Sequence, residues 1–391
     1  MATRSEVELR RVAIYRHVEL GEKPHEIYQD LGRSKEWFFK WLRRYRSGDP
    51  HWFRDRHKRP YRQANRTPAG IERQIVEIRI SLQQNPYAQI GANAINWQLH
   101  RRGLPSVPIS TINRVLKRHN LISKKRTYQA KGRPYPGLAS LGPNNVHQID
   151  LVGPRFIKHD GRFYCLNVMD VHTHRVKLNP CRRKQDRSIA QGLIDSWKFL
   201  GLPDFVQMDN ELSFRGSNRY PHSFGLVIRL CLSLGIQPVF IPLAEPWRNP
   251  EIESFQNTFD KTFFRSQRFS SYEALRREAR AFERFHNENC VYSCLQGKPP
   301  NATLSDTGIA KLPEDFKLPK KLPIEDGCIH LIRFIRSNRV LNVFGEKFLV
   351  KSDLVYEYVV ATICTDIHQL QLRHDGKLVQ FFDYHIPRPF A

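Results

Sequence analysis

The spacing of apolar and polar positions divides the chain into three regions. Up to about residue 122, apolar positions recur with the period of an amphipathic helix. Between about 146 and 305, apolar runs of strand length alternate with helical patterns, which is typical of an α/β domain. From about 323 the chain consists of short β-rich runs. The pattern therefore predicts a multidomain protein with helical domains first, a mixed α/β core next and a small β domain last.

The first domain, residues 1–48, has three predicted helices at 4–19, 24–31 and 35–46. In the first helix the predicted apolar positions are Val7, Leu9, Val12, Ile14 and Val18. A Gly-containing turn precedes the third helix, whose apolar side is Trp37, Phe38, Trp41 and Leu42. This order is typical of a helix-turn-helix, in which the last helix enters the major groove of DNA. The candidate DNA contacts are Lys35, Lys40, Arg43 and Arg44. A helical bundle with a solvated basic face is the alternative.

A basic segment follows at residues 49–69 and is interrupted by Pro60. It reads equally well as a linker that tracks phosphates or enters a minor groove and as a flexible, solvated connection. In the first case its candidate DNA contacts are Arg54, Arg56, Lys58 and Arg59.

A second helix-turn-helix domain is predicted at residues 70–122, with helices at 71–83, 90–102 and 110–119. Ser110 is the predicted N-cap of the third helix. The polar face of that helix supplies the next candidate DNA contacts, Thr111, Asn113, Arg114, Lys117 and Arg118. Residues 123–145, which begin with a basic run and continue with Gly, Pro, Ser and Asn, are the predicted linker into the core.

The predicted core, residues 146–305, contains three acidic residues in separate contexts. Asp150 lies in an apolar run, Asp209 follows another, and Glu253 stands near the start of a helical pattern. In a parallel sheet the ends of neighbouring strands line one crevice, so such residues can meet in the fold. Three carboxylates suit Mg²⁺, which prefers oxygen ligands and keeps part of its water. Two such ions can activate an attacking oxygen and stabilise a leaving one without a protein nucleophile.

These residues resemble the Asp-Asp-Glu core of retroviral integrases and bacterial insertion-sequence transposases. Members carry an Asp in the first strand, an Asp-Asn pair after the fourth, and a Glu in a helix behind a Pro…Asn-Gly-x-(Val/Ile)-Glu stretch. Here the corresponding residues are Asp150, Asp209-Asn210, and Pro246…Asn249-Pro250-Glu251-Ile252-Glu253. Pro250 replaces the usual Gly, and the first turn of a helix tolerates a Pro. The 43 residues between Asp209 and Glu253 are more than is usual, and a loop near 215–220 accommodates the excess.

The resemblance implies a ribonuclease H-like core with a mixed five-stranded sheet, in the order three strands, helix, strand, helix, strand, helix. It also implies two Mg²⁺ or Mn²⁺ ions, one held by Asp150 and Asp209 and the other by Asp150 and Glu253. Glu251, two positions before Glu253, is the rival for the third carboxylate. Two positions on a helix separate side chains by about 200°, so Glu251 and Glu253 cannot share a helix face. Asp170 and Glu211 are expected to be solvated or capping residues. Arg248 is a further candidate DNA contact, and Trp247 either contacts DNA or packs in the core.

The last region, 323–391, contains six β-rich runs, at 328–335, 340–343, 347–350, 358–365, 369–373 and 377–382. Turn signals such as His374-Asp375-Gly376 separate them, and a small barrel is predicted. It resembles the SH3-like C-terminal domain attached to integrase cores. DNA binding and subunit contact are both open as its role.

Charge supports a polyanionic partner. The 391 residues carry a formal charge of +25, and residues 1–149 alone hold 29 Lys and Arg against 11 Asp and Glu. Such a balance is expected of a nucleic-acid-binding protein. No apolar run is long enough to span a membrane, and the seven Cys show no CxxC pair. We therefore expect a cytoplasmic, nucleoid-associated bacterial protein with no membrane partner.

These observations predict a transposase that binds the terminal repeats of a mobile element as a homo-oligomer on double-stranded DNA. It cuts and joins strands by in-line attack of water and then of a 3′-hydroxyl, on transposon ends and target DNA. One alternative is an inactive DNA-binding regulator derived from such an enzyme. The other is a ribonuclease H-like nuclease acting on RNA–DNA hybrids.

Overall fold

The computed structural model describes residues 5–55, 67–122, 135–217, 219, 222–304 and 309–387. The chain forms two compact units that divide between Arg66 and Thr67. The predicted DNA contacts Arg56, Lys58 and Arg59 lie outside the described residues, as do parts of both predicted linkers.

The first unit contains three helices, α1 (Glu6–Val18), α2 (Pro24–Asp30) and α3 (Lys35–Arg46). Ser34 caps α3 by accepting a hydrogen bond from the Trp37 N–H, and Phe38, Trp41 and Leu42 fill the core. These features match the prediction for α3. Of the predicted apolar positions of α1, Ile14 is buried but Val18 is exposed, and the other buried residues are Arg10 and Ala13.

Arg10 explains why a polar position can face the core of this unit. Its guanidinium lies 4.0 Å from the centre of the Trp41 ring. It donates to the Phe53 carbonyl (2.9 Å) and to the Asp55 carboxylate (3.1 Å). A buried cation with these partners is compensated for its lost hydration. The segment after α3 is thereby fastened to α1.

The second unit begins with α4 (Ala69–Gln84), α5 (Ala92–Arg101) and α6 (Ile109–Arg118). Their common core consists of apolar residues at helical spacing, chiefly Ile75, Ile78, Ile95, Leu99, Ile112, Val115 and Leu116. The predicted cap at Ser110 is wrong by two positions. Helix α6 begins at Ile109 after Pro108, whose fixed φ suits the turn into a helix, and Ser110 lies inside the first turn.

This helical layer is attached to the rest of the second unit by several side chains. Tyr87, in the α4–α5 turn, packs on the rings of Phe263, Phe282 and Phe285. Gln89 accepts a hydrogen bond from the Val291 N–H (2.8 Å). Two more polar contacts join α5 to the end of the core's last long helix and the segment after it, Arg101 to Asn289 and Asn93 to Ser293. Aromatic packing and hydrogen bonds together hold the α4–α6 layer in a defined position on the core.

The core begins with three antiparallel strands, β1 (Val146–Ile157), β2 (Gly161–Asp170) and β3 (Val176–Cys181). Helix α7 (Asp186–Leu200) leads to β4 (Phe205–Met208), and the short α8 (Leu212–Arg215) and α9 (Leu226–Ser233) lead to β5 (Gln237–Phe240). Strand β4 is parallel to β1 and to β5, which gives the order β3-β2-β1-β4-β5. Helices α10 (Pro250–Thr258) and α11 (Tyr272–Asn289) follow, with a π-helical turn at Phe259–Phe264 between them. The predicted ribonuclease H-like sequence of elements is present.

The last region forms β6 (Cys328–Phe334), β7 (Val340–Val343), β8 (Glu346–Leu349), β9 (Tyr358–Cys364), β10 (Gln369–His374) and β11 (Lys377–Asp383). All six predicted runs are strands. The sheet arrangement differs from the prediction, because β6 pairs in parallel with β5 through Val239↔His330 and Phe240↔Leu331. The five predicted core strands are thus part of one nine-stranded sheet, β11-β10-β9-β6-β5-β4-β1-β2-β3. Strand β5 would otherwise leave an edge of unpaired backbone groups, which β6 covers.

The hydrophobic core is continuous across this junction. One cluster of buried residues runs from Trp197 in α7 through Phe240 in β5 to Leu372 in β10 and Tyr384 beyond β11. A second cluster lies on the other side of the core, between the β1–β3 sheet and the α10–α11 pair. The C-terminal strands therefore share their core with β4, β5 and α7 instead of enclosing one of their own.

His330 lies at the junction of β5 and β6 and predicts a pH dependence of stability. Its ring nitrogens bond with Gln237 Oε1 (2.8 Å) and Thr362 Oγ1 (2.9 Å). Burial, with Arg373 nearby, lowers the pKa of His330 from 6.5 to about 4. Between these values the unfolded chain binds a proton that the folded chain rejects, so stability is lost as pH falls from 6.5 towards 4. We expect this residue to remove about 3 kcal/mol over that range.

Thermal unfolding of wild type and His330→Gln between pH 7 and pH 4.5 tests this expectation. The variant's Tm is expected to fall less with acidification than that of wild type, because Gln does not titrate. His385, which is exposed, provides a matched control as His385→Gln. An equally steep fall in all three proteins would contradict the assignment to His330.

Candidate active site

Asp150 and Asp209 lie side by side at the carboxyl ends of two parallel strands. Gln148 of β1 is the register partner of Gln207 of β4. Two residues further along each strand are Asp150 and Asp209, the latter directly after β4 ends. Side chains two positions apart on a strand point to the same face, and adjacent strands lie about 4.8 Å apart. The register therefore brings the two carboxylates to one place.

Glu253 reaches the same end of the sheet because the start of α10 is fastened to β1 and β4. Gln148 Oε1 accepts hydrogen bonds from the Glu251 and Ile252 N–H groups, each at 3.1 Å. These are amides of the first helical turn, which lack partners within the helix. Gln148 thus caps α10 from a neighbouring strand, two residues before Asp150.

Asn249 completes this attachment on the other strand. Gln207 Nε2 donates to Asn249 Oδ1 (3.1 Å) and to the Arg248 carbonyl (3.0 Å). Asn249 Nδ2 in turn donates to the Ile149 carbonyl (3.1 Å). We name Gln148, Gln207 and Asn249 the amide clamp; all three are buried. It fixes the helix that carries Glu253 against the strands that carry the aspartates.

The three carboxylates influence one another electrostatically. Burial, followed by the charges of Asp209 and Glu253, raises the pKa of Asp150 from 3.8 to about 7. Burial also raises the pKa of Asp209, and burial together with the Asp209 charge raises the pKa of Glu253. Burial is the largest cause of all three shifts, and repulsion between these carboxylates adds to it for Asp150 and Glu253. Within the described ranges, no group of three or more His, Cys, Asp or Glu side chains is arranged to hold a metal ion.

The neighbouring acidic residues have other partners. Glu251 points towards His174, with 3.7 Å between Glu251 Oε2 and His174 Nδ1. Asp170 is buried and accepts hydrogen bonds from the Thr173 hydroxyl and the Asn144 N–H, so it orders the β2–β3 turn. Glu211 pairs with Lys184 at 3.0 Å. Pro250 occupies the first helical position of α10, where its missing N–H leaves no gap.

Asn210, directly after Asp209, is held from both backbone and side chain. Arg215 Nε donates to the Asn210 carbonyl (2.9 Å), and Asn210 Nδ2 donates to the Ile241 carbonyl (2.7 Å). Arg333 of β6 donates to Asn210 Oδ1 (2.8 Å) and to the Ile241 carbonyl (3.1 Å). Burial lowers the pKa of Arg333 to about 10, still well above neutrality, so the guanidinium is charged. A residue of the C-terminal region therefore fixes the turn that carries Asp209.

The predicted DNA contacts differ in how free they are. Lys35, Lys40, Arg43 and Arg54 of the first unit are exposed, although Lys40 lies over the Trp41 ring and Arg54 over the Phe53 ring. Arg44 is half-buried over the Trp41 ring and donates to the Arg54 carbonyl. On α6, Asn113, Arg114 and Lys117 are exposed and Thr111 is half-buried. Arg118 is engaged by both oxygens of Glu72, at 2.8 and 2.7 Å.

Arg248 and Trp247, the two residues before Asn249, also differ in whether their side chains are already engaged within the protein. Arg248 is occupied by Glu245, by the Tyr358 hydroxyl and by the ring of Tyr135. Trp247 is 62% exposed, so the interpretation that it packs in the core is wrong. An exposed indole beside the site is available for stacking on a base.

Sequence reasoning missed the amide clamp and Arg333. A signal for the clamp is present in the sequence, because Gln148-Ile149-Asp150 and Gln207-Met208-Asp209 repeat the pattern Gln, apolar residue, Asp. A polar residue at a buried strand position, two residues before a candidate ligand in both strands, marks a supporting contact. Nothing local marks the contact of Arg333 with the turn that carries Asp209, since Ile241 and Asn210 are about 90 and 120 residues away in sequence.

Residues 4–52 match the family model described as a homeodomain-like domain. The match covers α1 to α3 and confirms the helix-turn-helix predicted for the first domain. In the part of the chain that the structure describes, no helix is long and apolar enough to cross a membrane.

Several solved structures are similar to this chain. The integrase catalytic core of HTLV-2 in complex with magnesium is 15% identical, with 42% of this chain and 98% of that chain covered and a TM-score of 0.33. The simian T-cell lymphotropic virus intasome in complex with the PP2A regulatory subunit B56 gamma is 12% identical, with 77% and 95% covered and a TM-score of 0.36. The BIV integrase catalytic core is 12% identical, with 41% and 92% covered and a TM-score of 0.31. At these values the likeness carries nothing further about this chain.

The amide clamp predicts a local effect of Gln148→Ala. Two N–H groups of α10 would lose their acceptor, which we expect to cost about 1–3 kcal/mol. Hydrogen exchange at Glu251 and Ile252 should accelerate, and any metal-dependent activity should fall because Glu253 loses its fixed position. Gln83, exposed on α4, gives the control variant Gln83→Ala. Unchanged exchange at the start of α10 in Gln148→Ala would show that the clamp does not hold the helix.

Proposed function

We propose that the chain is a DNA transposase that binds the terminal repeats of a mobile element and cuts and joins DNA strands with Asp150, Asp209 and Glu253. The observation that carries the proposal is the convergence of these three carboxylates. Two stand at register-matched ends of parallel strands, and the third is fastened to the same strands by the amide clamp. The pKa of Asp150, raised by burial and then by the charges of Asp209 and Glu253, supports a shared site.

The carboxylates fit divalent metal ions. Their donors are hard oxygens, which Mg²⁺ and Mn²⁺ prefer, and their like charges repel until a cation offsets them. Two such ions, when bound, activate an attacking water or 3′-hydroxyl and stabilise the leaving oxygen of an in-line displacement. Asp150 and Asp209 would hold one ion, and Asp150 and Glu253 the other.

The protein's own part in the reaction is positioning. The amide clamp and the Arg333–Asn210 contact keep the three carboxylates on rigid elements, so their geometry does not have to be assembled when substrate arrives. Exposed Trp247 lies at the entrance to α10 and can stack on a base near the cut phosphodiester.

DNA recognition is assigned to two separate helical layers. The exposed cations of α3 and the exposed polar face of α6 are suited to a major groove and its phosphates. Two such layers in one chain read a longer site than one layer can, and the ends of a mobile element are long sites. Because two ends must be processed together, we propose a homo-oligomer on double-stranded DNA.

The test is cleavage and strand transfer by the full chain on a duplex carrying the element's own end, with Mg²⁺, Mn²⁺ or EDTA. Sequencing gels identify the cut position, and a labelled target reports joining. We expect a 3′-hydroxyl to be freed at the end of the element and then joined to target, only with metal. A random duplex and an RNA–DNA hybrid serve as substrate controls.

Two results would replace the proposal. Specific binding of the end without cutting under either metal would favour the regulator. Preferential cutting of the hybrid would favour a ribonuclease H-like nuclease. A fully active monomeric complex in sedimentation would contradict the oligomer alone.

A further inference from the structure

A broad groove of about 1160 Å³ lies on the side of the core formed by β3, α7 and α11, and is closed at one end by residues 311–318. We name it the basic groove. Only two carboxylates line it, Asp195 and Glu314. Eight cationic side chains line it: Arg175, Lys177, Arg187, Lys198, Arg276, Arg280, Lys311 and Lys317. None of these was singled out by the sequence.

Part of this positive charge is left without an anionic partner in the protein. Lys177 is neutralised by Glu283 at 2.9 Å. Arg187, Lys311 and Lys317 are exposed and, within the residues that the structure describes, form no salt bridge. Like charges gathered in a concave surface repel one another, and the concave shape concentrates their field. Such a surface is stabilised when a polyanion enters.

The basic groove begins beside the candidate active site. Gln185 lines it, and Lys184, the preceding residue, donates to Glu211 Oε1 at 3.0 Å. The Glu211 N–H in turn donates to Asp209 Oδ1 at 3.0 Å. The end of the groove at Gln185 is thus linked to Asp209 through Lys184 and Glu211.

The dimensions suit a duplex. Helix α7, which forms one wall, has 15 residues and is about 22 Å long. Double-stranded DNA carries one charge per about 1.7 Å of axis, so this length presents about 13 phosphates, of which about half can face the protein. Two of the eight cations pair with carboxylates, Lys177 with Glu283 and Arg276 with Glu273, and the other six match that number.

We infer that the basic groove binds the phosphate backbone of double-stranded DNA that extends beyond the three carboxylates. The inference rests on the proposed function, because the catalytic site supplies the reason for DNA to lie there. Duplex DNA is favoured over RNA because the first unit of the same chain is a homeodomain-like helix-turn-helix. The DNA is either the flank of the element or the target, since both have the same backbone.

The test compares two triple variants of the full chain. The groove variant is Arg187→Gln, Lys311→Gln and Lys317→Gln. The control variant is Lys158→Gln, Arg162→Gln and Lys261→Gln, which removes the same charges from exposed positions outside the groove. Affinity for a random-sequence duplex is measured from 50 to 300 mM salt. Each lost phosphate contact lowers the slope of log K against log salt by about 0.9, so the groove variant should lose about 2 to 3.

The groove variant is also expected to bind this duplex about 10-fold to 100-fold more weakly than wild type near 0.15 M salt, with the control variant close to wild type. Binding is also compared between two DNA substrates, an element end that stops at the cut position and an element end followed by flanking DNA. This comparison identifies which DNA the groove binds. Loss on the flanked end alone identifies flank, and loss in strand transfer to target identifies target.

Equal slopes in the two variants would overturn the inference. So would a groove variant that changes from oligomer to monomer in sedimentation while its slope stays that of wild type, because the groove would then join two copies. A slope change seen only with duplex RNA would overturn it as well. Failure of the proposed function has a different signature, namely a wild-type protein that does not cut with metal whatever the slopes are.

Discussion

Asp209→Asn is expected to lower metal-dependent cutting and joining by at least about 1000-fold while leaving binding to the element's end within about twofold of wild type. A metal-held transition state is stabilised by several kcal/mol, and each 1.4 kcal/mol corresponds to about tenfold in rate. Under the proposed function, DNA binding rests instead on the basic helices, which are remote in sequence from Asp209. Single-turnover strand transfer and an end-binding titration measure the two effects separately.

The same assay distinguishes the third carboxylate. Asp150→Asn and Glu253→Gln should behave like Asp209→Asn, whereas Glu251→Gln and Glu211→Gln should stay within about threefold of wild type. Glu251 faces His174, and Glu211 is paired with Lys184. Loss in Glu251→Gln with activity retained in Glu253→Gln would transfer the role to Glu251.

Stability provides an internal control for these inactive variants. The pKa of Asp150 is raised to about 7 in the folded chain, so ionisation at higher pH opposes folding. The penalty grows as pH rises from 3.8 through 7 and is relieved by a neutral side chain. Asp150→Asn is therefore expected to be more stable than wild type at pH 8 in EDTA, by about 2–4 kcal/mol. A variant that is both inactive and less stable would instead indicate misfolding.

Arg333→Met is expected to combine a stability loss of about 2–4 kcal/mol with a fall in strand transfer of about 10-fold to 100-fold. Its guanidinium satisfies acceptors on Asn210, Ile241 and Asn342, which Met leaves without their donor. Buried acceptors that lose a charged donor each cost about 1–3 kcal/mol. The activity should fall because Asn210 adjoins Asp209. Denaturant unfolding and single-turnover rates at saturating DNA measure the two effects.

Arg333→Lys separates charge from geometry. Lys keeps the charge but not the planar fork, so it should restore part of the stability and little of the rate. Arg336→Met, at an exposed position just beyond β6, is the matched control. If Arg333→Met loses stability but keeps the wild-type rate per folded molecule, the C-terminal strands support the fold without positioning Asp209.

Periodicity predicted most elements of the chain because each follows from local residue order. The helix α3 and the six C-terminal strands were predicted within one or two residues. The buried positions of α1 were predicted incompletely because one of them is Arg10, a cation that Trp41 and Asp55 stabilise. A buried Arg looks like a surface residue until its partners are known.

Long-range pairing was not predictable in the same way. Strand β6 pairs with β5 across a gap of nearly 90 residues, and its apolar residues fit a separate barrel as well as an extended sheet. Likewise, the positions of Asp150, Asp209 and Glu253 were suggested by their sequence context, but their support was not. The amide clamp and Arg333 act through hydrogen bonds whose partners are set by the fold alone.

The attachment of the α4–α6 layer to the core sets a fixed distance between a helix that is suited to DNA and the three carboxylates. Tyr87 and Gln89 fix this layer against α11 and Val291, and thereby fix the distance from α6 to Asp150. A DNA end read by α6 would then reach the carboxylates at a set number of base pairs. Insertions between the recognised sequence and the cut site should shift or abolish cutting, because the protein cannot lengthen to follow them.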